Sequence, residues 1–253
     1  MDIYVISLQS TPERLESFKR ENANIIDYKV LHAVEGQAYP MESFYRANVF
    51  EREEKWWPGA TGCLLSHMCL WQRAAQGDHT VTICEDDALF HHHFPEHYER
   101  LTGALGDGFD LVMWGWNLDS CLVIRMPPMP GEIFVEGRQE SMRDQYQRYR
   151  QESVNPSLYR LNRAFGTIAY SISPSCARWL MQNLFPISER TAYYPELERW
   201  LHISGVDRLL STVYPQLNSW VSITPMVITL NWREDSTTIP AEEKPLWRSP
   251  HAT

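Results

Sequence analysis

Four residues of buried-strand character, Val81-Thr82-Ile83-Cys84, run straight into three adjacent carboxylates, Glu85-Asp86-Asp87. Such a strand is typical of open α/β sheets, whose ligand crevices lie just beyond the carboxyl ends of their strands. Side chains alternate along a strand, so Glu85 and Asp87 are expected on one side and Asp86 on the other. The Cα atoms of Glu85 and Asp87 would sit roughly 6.5 Å apart, within reach of one divalent cation and its ligands. Three packed carboxylates repel and raise one another's pKa values, a cost that a metal or a set of N–H donors would relieve. A solvated acidic turn is the plain alternative, and the position after a buried strand favours the functional reading.

The rest of the chain predicts an α/β domain with a mostly parallel, three-layer, Rossmann-like sheet. Ile3–Leu8 reads as the first strand and Pro12 opens a helix running to about Arg20, with Ser10 or Thr11 as its cap. Ile25–Leu31 alternates weakly as a second strand. Gly36–Pro58 reads as an irregular excursion or a short helix, followed by a helix over Thr61–Ala75. Phe94–Leu105 predicts a helix and Phe109–Trp114 a strand. From Ser120 to Asn162 the periodicity fails. Met126-Pro127-Pro128-Met129-Pro130-Gly131 excludes a regular element, and Gly137–Ser153 has little apolar content. A long stretch without a core face is usually functional or disordered, so 120–162 is expected to be a variable insert acting as an acceptor-binding lid. Ala164–Ile172 predicts a strand, Pro174–Leu184 a helix, Glu196–Leu210 a helix interrupted near Ser204-Gly205, and Val221–Leu230 a last strand. One domain over 1–240 and a loose tail over 241–253 follow.

Charge narrows the partners. The net charge is −9, which disfavours nucleic acid and polybasic membrane anchoring alike. No apolar stretch reaches the ~20 residues that span a bilayer. Met1–Ile6 lacks the basic opening and long apolar core of a signal peptide. The five cysteines, Cys63, Cys69, Cys84, Cys121 and Cys176, are odd in number and show no Cys-x-x-Cys spacing. They predict core thiols in a reducing cytosol rather than disulfides or a structural zinc site.

Several segments together resemble glycosyltransferase family 25, the lipooligosaccharide and procollagen galactosyltransferase group. The opening Ile6-Ser7-Leu8 with Arg14 is similar to the family's start. Gly62-Cys63-Leu64-Leu65-Ser66-His67 with Trp71 resembles its Gly-Cys-x-x-Ser-His signature, and Glu85-Asp86-Asp87 with Ala88 and Phe90 its acidic motif. Gly166-Thr167, Ala169-Tyr170 and Ile172-Ser173 resemble a fourth block. Val206-Asp207 with Leu210, then Pro225 and Ser236, complete the order. The resemblance implies a GT-A fold, a UDP-hexose donor (most often UDP-galactose), a divalent metal (Mn²⁺ or Mg²⁺) and inversion at the anomeric carbon. The cysteine usage sets the expected location as cytoplasmic, membrane-peripheral being the variant, although the chain lacks the basic, aromatic tail expected of a membrane-peripheral sugar transferase. The acceptor, a glycan or a protein, has no motif here, because Ser120–Asn162 matches no family pattern.

That chemistry assigns roles. A metal held by carboxylates would neutralise the charge growing on the diphosphate. Asp87 is the first candidate ligand, with Glu85 beside it. Asp86 would hold the ribose or a backbone amide, or serve a turn. Inversion needs a base near the acceptor hydroxyl, and Asp207, isolated in an apolar stretch, is the candidate, with a salt bridge to Arg208 as the alternative. Arg14 would touch the nucleotide or phosphates or brace the first turn. Leu8 would lie beneath the base. Ser66, His67 and Gly166 would contact the donor, although a histidine in an apolar helix also fits a hydrogen-bonded core residue. His91-His92-His93 reads as surface, and Trp56-Trp57 as a sugar-stacking platform or core. A metal-dependent phosphohydrolase using the same carboxylates and a non-catalytic nucleotide-sugar-binding relative are the rival readings.

Overall fold

Ile3 and Val5 face one side of the first strand, Tyr4 and Ile6 the other, and all four are buried. A strand covered on both faces requires a layer of chain above and below it. The computed structural model describes residues 1–51, 56–188 and 191–231, and it supplies both layers. The strands are β1 (Asp2–Ser7), β2 (Lys29–His32), β3 (Val81–Glu85), β4 (Leu89–Phe90), β5 (Leu111–Gly115), β6 (Leu122–Arg125) and β7 (Ile133–Val135). They continue with β8 (Ser157–Ala164), β9 (Ala169–Ile172), β10 (Thr191–Tyr194), β11 (Arg199–His202), β12 (Ser219–Ile223) and β13 (Val227–Ile228). The helices are α1 (Pro12–Glu21), α2 (Met41–Arg46), α3 (Pro58–Gln76), α4 (Phe94–Leu105), α5 (Gln139–Tyr149), α6 (Pro174–Asn183) and α7 (Val206–Ser211).

Nine strands form one sheet in the order β2-β1-β3-β9-β5-β12-β8-β6-β7. The pairings run β2, β1, β3, β5, β12 and β6 in one direction and β9, β8 and β7 in the other. The sheet is thus mostly parallel in strand direction, as expected, with antiparallel strands threaded between. One face packs under α3, α6 and α7, where Leu64, Trp71, Leu180 and Leu209 meet Ile83, Met113 and Tyr170. The other packs under α1 and α4, where Phe18, Phe94 and Tyr98 meet Val5, Val112 and Trp114. Each fully buried large apolar side chain contributes roughly 1.5–3 kcal/mol, so two-sided burial holds this sheet. Local signals set the helix ends. Pro12, Pro58 and Pro174 open α1, α3 and α6. The Ser173 hydroxyl accepts the Cys176 N–H at 3.1 Å, capping the last of these.

The structure corrects several sequence expectations. Val221–Leu230 is not one strand: β12 ends at Ile223 in the main sheet, and β13 pairs with β4 outside it. The stretch 120–162 is no insert without a core face: β6 and β8 lie inside the main sheet, with Leu122, Val123, Ile124 and Leu161 buried. Arginines disguised β8, because Arg160 lies over the Trp220 ring (5.2 Å) and Arg163 over the Tyr194 ring (5.6 Å), their stems covering apolar surface. Ala164–Ile172 is not one strand. β8 ends at Ala164 and β9 begins at Ala169, with Gly166 between them at φ 85°, a left-handed conformation open to glycine. Glu196–Leu210 is not one helix. A 3-10 turn (Pro195–Leu197), β11 and α7 divide it, and Glu198 at φ 51° makes the first break. His91 is buried rather than on the surface; its Nδ1 accepts the His93 N–H at 3.1 Å. The expected tail over 241–253 lies outside the described residues. Among the described residues no helix is long and apolar enough to cross a membrane.

Candidate active site

The chain leaves β1 toward β2 on one side, whereas β3 pairs with β1 on the other. Strand order reverses there, and a reversal opens a crevice beyond the carboxyl ends of the two strands. Ser7 ends β1 and Glu85 ends β3. The acidic triplet therefore begins on the last strand residue and continues into a turn. A cavity of about 1210 Å³ opens there, and its wall includes Arg14, Glu85, Asp86, Asp87, Gly166 and Asp207.

Asp86 is the buried clamp of the crevice. Its Oδ2 accepts the Ser7 hydroxyl at 2.7 Å. Its Oδ1 accepts Arg14 Nε at 2.7 Å and Arg14 Nη2 at 2.6 Å. One carboxylate thus ties β1, α1 and the end of β3 together, and its lone pairs face protein partners. Arg14 also reaches within 3.9 Å of Asp87 Oδ2.

Glu85 and Asp87 are held more loosely and pay electrostatically. Thr167 Oγ1 donates to Glu85 Oε1 at 2.6 Å. Burial, then the neighbouring Asp87 charge, pushes the Glu85 carboxyl up to about 7. Burial likewise raises Asp87, against the pull of Arg14. Thr229 Oγ1 donates to Asp87 Oδ2 at 3.1 Å, while Asp87 Oδ1 is buried with no hydrogen-bond partner. A buried unpartnered carboxylate oxygen is costly. These residues fit a divalent cation: an orphaned hard oxygen ligand stands beside a second carboxylate whose charge its neighbour opposes.

His67 lies fully buried on α3. Its Nδ1 pairs with the Tyr170 hydroxyl at 2.8 Å, and that oxygen also accepts Trp71 Nε1 at 2.7 Å. The ring stacks on Tyr170, its Nε2 has no hydrogen-bond partner, and it stands 4.0 Å from Glu85 Oε1. Burial pushes the imidazole down to about 3, so it is neutral at physiological pH. Ser66 is turned into the fold instead. It accepts the Val34 N–H at 2.9 Å, donates to the Gly62 carbonyl at 2.7 Å, and forms no part of the cavity wall. A Cβ on Gly62 would come within 2.3 Å of the Val34 carbonyl oxygen. Gly62 and Ser66 therefore let one loop cross α3 closely and pin it. Leu8 also stands outside the cavity wall; its carbonyl accepts the Thr11 N–H in the turn before α1.

Asp207 enters from the far end of the chain. Its Oδ2 accepts the Gly166 N–H at 3.2 Å and its Oδ1 the Arg208 N–H at 2.8 Å. The tryptophan pair divides: Trp56 is buried and packs on Phe50, whereas Trp57 is 41% exposed and lines the cavity. Sequence reasoning missed Cys63, Thr167 and Thr229. Cys63 precedes His67 by one helical turn, a spacing that places both on one helix face. Thr229 carried no signal, because only the tertiary fold brings it to Asp87.

The model of glycosyltransferase family 25 (LPS biosynthesis protein) matches residues 1–194. No curated protein matches the chain. Solved structures resemble it as well, two of them as follows. One is the crystal structure of the galactosyltransferase LgtC in complex with donor and acceptor sugar analogs, at 11% identity and a TM-score of 0.36, covering 87% of this chain and 73% of that one. The other is an active-site mutant of LgtC, at 12% identity and a TM-score of 0.37, covering 85% of this chain and 70% of that one.

Proposed function

The chain belongs to glycosyltransferase family 25, and from that premise we propose that it moves a hexose, galactose first among the candidates, from a UDP-sugar to an acceptor hydroxyl with inversion. The observation that carries this reading is the meeting of Glu85, Asp87 and Asp207 in the wall of one cavity. The cavity, of about 1210 Å³, has room for a nucleotide sugar, since pockets for drug-sized ligands run from about 300 to 1,000 Å³.

Each residue has a task in that reaction. A divalent cation, Mn²⁺ or Mg²⁺, would be held by Asp87 with Glu85 and would neutralise the charge that grows on the departing diphosphate. Arg14, anchored by Asp86, adds fixed positive charge on the same wall. Asp207 accepts the proton of the acceptor hydroxyl, and two backbone N–H groups hold its oxygens in place for that. Gly166 carries one of those N–H groups. The neutral His67 presents Nε2 at the Glu85 side. Trp57 offers an exposed ring on which a sugar face can stack. Leu8, Ser66 and His67 all stand outside the wall, so in this reading none of them touches the donor. A nucleotide-sugar donor and a glycan or protein acceptor are the implied partners.

A screen of UDP-hexoses with and without Mn²⁺ tests the reading. Transfer, or slow donor hydrolysis to UDP, is the expected result. Release of phosphate from simple phosphate esters, or donor binding without turnover, would overturn it. Melting-temperature shifts report donor binding separately, since a ligand of the folded state stabilises it by RT ln(1 + [L]/Kd).

A further inference from the structure

Cys63 and His67 lie four residues apart on α3 and reach toward Glu85 at the end of β3. One ligand atom from each, the Cys63 sulfur, a ring nitrogen of His67 and a carboxylate oxygen of Glu85, lies within 4.8 Å of the other two. We propose that these three residues form a site for a thiophilic divalent cation of the zinc class, with its open position toward the cavity.

Three observations carry it beyond the spacing. His67 Nε2 is buried and without a hydrogen-bond partner, and it points at Glu85. In the tautomer whose Nδ1–H donates to the Tyr170 oxygen, 2.8 Å away, Nε2 carries the free lone pair, which is how metal-ligating histidines are oriented. Trp71 fixes Tyr170 in turn. Glu85 has the matching support, since Thr167 donates to its Oε1 at 2.6 Å. Two of the three ligands therefore already have the outer partners that such sites use. Cys63 and Glu85 both line the cavity, so a path for the ion exists.

The donor set selects the ion. Sulfur with imidazole and one carboxylate suits zinc, whereas carboxylate oxygens alone suit magnesium or manganese. Three protein ligands plus one open position is the arrangement of open zinc sites. Zn–N and Zn–O distances near 2.0 Å and Zn–S near 2.3 Å put tetrahedral ligand atoms roughly 3.3–3.7 Å apart. The three atoms therefore close in by about an ångström, which rotation of the Cys63 and Glu85 side chains can supply. Burial, then the Glu85 charge, pushes the free thiol well up, so binding forms the metal–sulfur bond while the thiol proton leaves to solvent. Glu85 faces both this site and Asp87, so zinc here competes for the carboxylate that the oxygen site would use. The site itself does not depend on the glycosyl-transfer reading, because it is read by binding.

Cobalt(II) titration of the reduced full chain tests it, because a thiolate ligand gives cobalt an intense near-ultraviolet charge-transfer band. One equivalent should develop that band, and zinc should abolish it. C63S should lose the band and bind cobalt at least ~10-fold more weakly, a ligand loss being no milder than loss of an outer partner. C69S, which removes the exposed Cys69 thiol, and D87N should retain the band. Peptide-resolved alkylation gives a second measure on the unmodified chain: zinc should protect Cys63. No band in the wild type, a band that survives C63S or vanishes in C69S, or no protection of Cys63 would overturn the proposal.

Discussion

Thr229 and Asp87 lie 142 residues apart, and Thr229 Oγ1 donates to Asp87 Oδ2 at 3.1 Å. The same hydroxyl oxygen accepts the Asn231 N–H at 3.0 Å. The bond turns one Asp87 oxygen toward protein and leaves the other, Oδ1, without a partner. T229V keeps the side-chain volume and removes the bond. It should weaken Mn²⁺ binding by about 10–100-fold, the usual effect of losing an outer partner of a metal ligand, and cost only about 0.5–1.5 kcal/mol of stability. Titration of Mn²⁺ by electron paramagnetic resonance reads the first and a melting curve the second. Unchanged Mn²⁺ affinity would remove Thr229 from the site.

Asp87→Asn tests the oxygen site directly. Charge at this position opposes Glu85, so removing it should leave the apo fold at least as stable as wild type. Cation-dependent turnover should disappear. A variant with full activity at ordinary Mn²⁺ concentration would show that Asp87 holds no ion.

Glu85 gives the apo protein a pH dependence of definite sign. Its folded pKa, about 7, stands above the ordinary glutamate value of 4.5. Between those two values the folded state holds a proton that the unfolded state has released. Stability should therefore be full below about 4.5 and fall as pH rises through 7. The melting temperature without metal should drop from pH 5 to pH 8, E85Q should flatten that drop, and Mn²⁺ should flatten it in the wild type. A wild-type slope that E85Q leaves untouched would assign the effect to another group.

The acidic triplet was legible because a buried strand and three charges are local signals. Asp207 and Gly166, which the family-like blocks singled out, both line the cavity. What local reading could not supply was direction. Ser66 and His67 are neighbours in one motif, yet Ser66 bonds back to the Gly62 carbonyl while His67 faces Glu85. On a helix, adjacent residues point about 100° apart, and only packing decides which one turns toward Glu85. β8 was missed for the opposite reason: in Ser157–Ala164, Arg160 and Arg163 hid a core strand, since an arginine looks polar in sequence and covers apolar surface in the fold.

Asp207→Asn separates base from scaffold. As the base, Asp207 contributes to transfer and little to donor affinity, so the variant should lose at least ~10²-fold in transfer with donor binding nearly unchanged. The amide can still accept from the Gly166 N–H. Collapse of donor affinity in place of rate would move Asp207 into the donor pocket and the base elsewhere.

The stretch around α5 offers the sharpest contrast between sequence and structure. As a lid, residues 137–153 could be trimmed without loss of donor binding or hydrolysis, and only transfer to acceptor would go. The observed contacts favour a brace. Gln139 Nε2 donates to the Thr229 carbonyl, and Arg143 donates to the carbonyls of Leu230 and Asn231, each at 2.6 Å. Tyr149 donates to the Pro225 carbonyl, also at 2.6 Å. α5 thus grips the segment that carries Thr229 and, through it, Asp87. Arg143→Ala should speed amide exchange over 226–231 and weaken Mn²⁺ binding several-fold, while the rest of the sheet keeps its protection. Trimming 137–153 should abolish Mn²⁺ binding as well as transfer. Retained Mn²⁺ binding and donor hydrolysis in the trimmed protein, with transfer alone lost, would restore the lid and leave Arg143 a surface anchor without influence on Asp87.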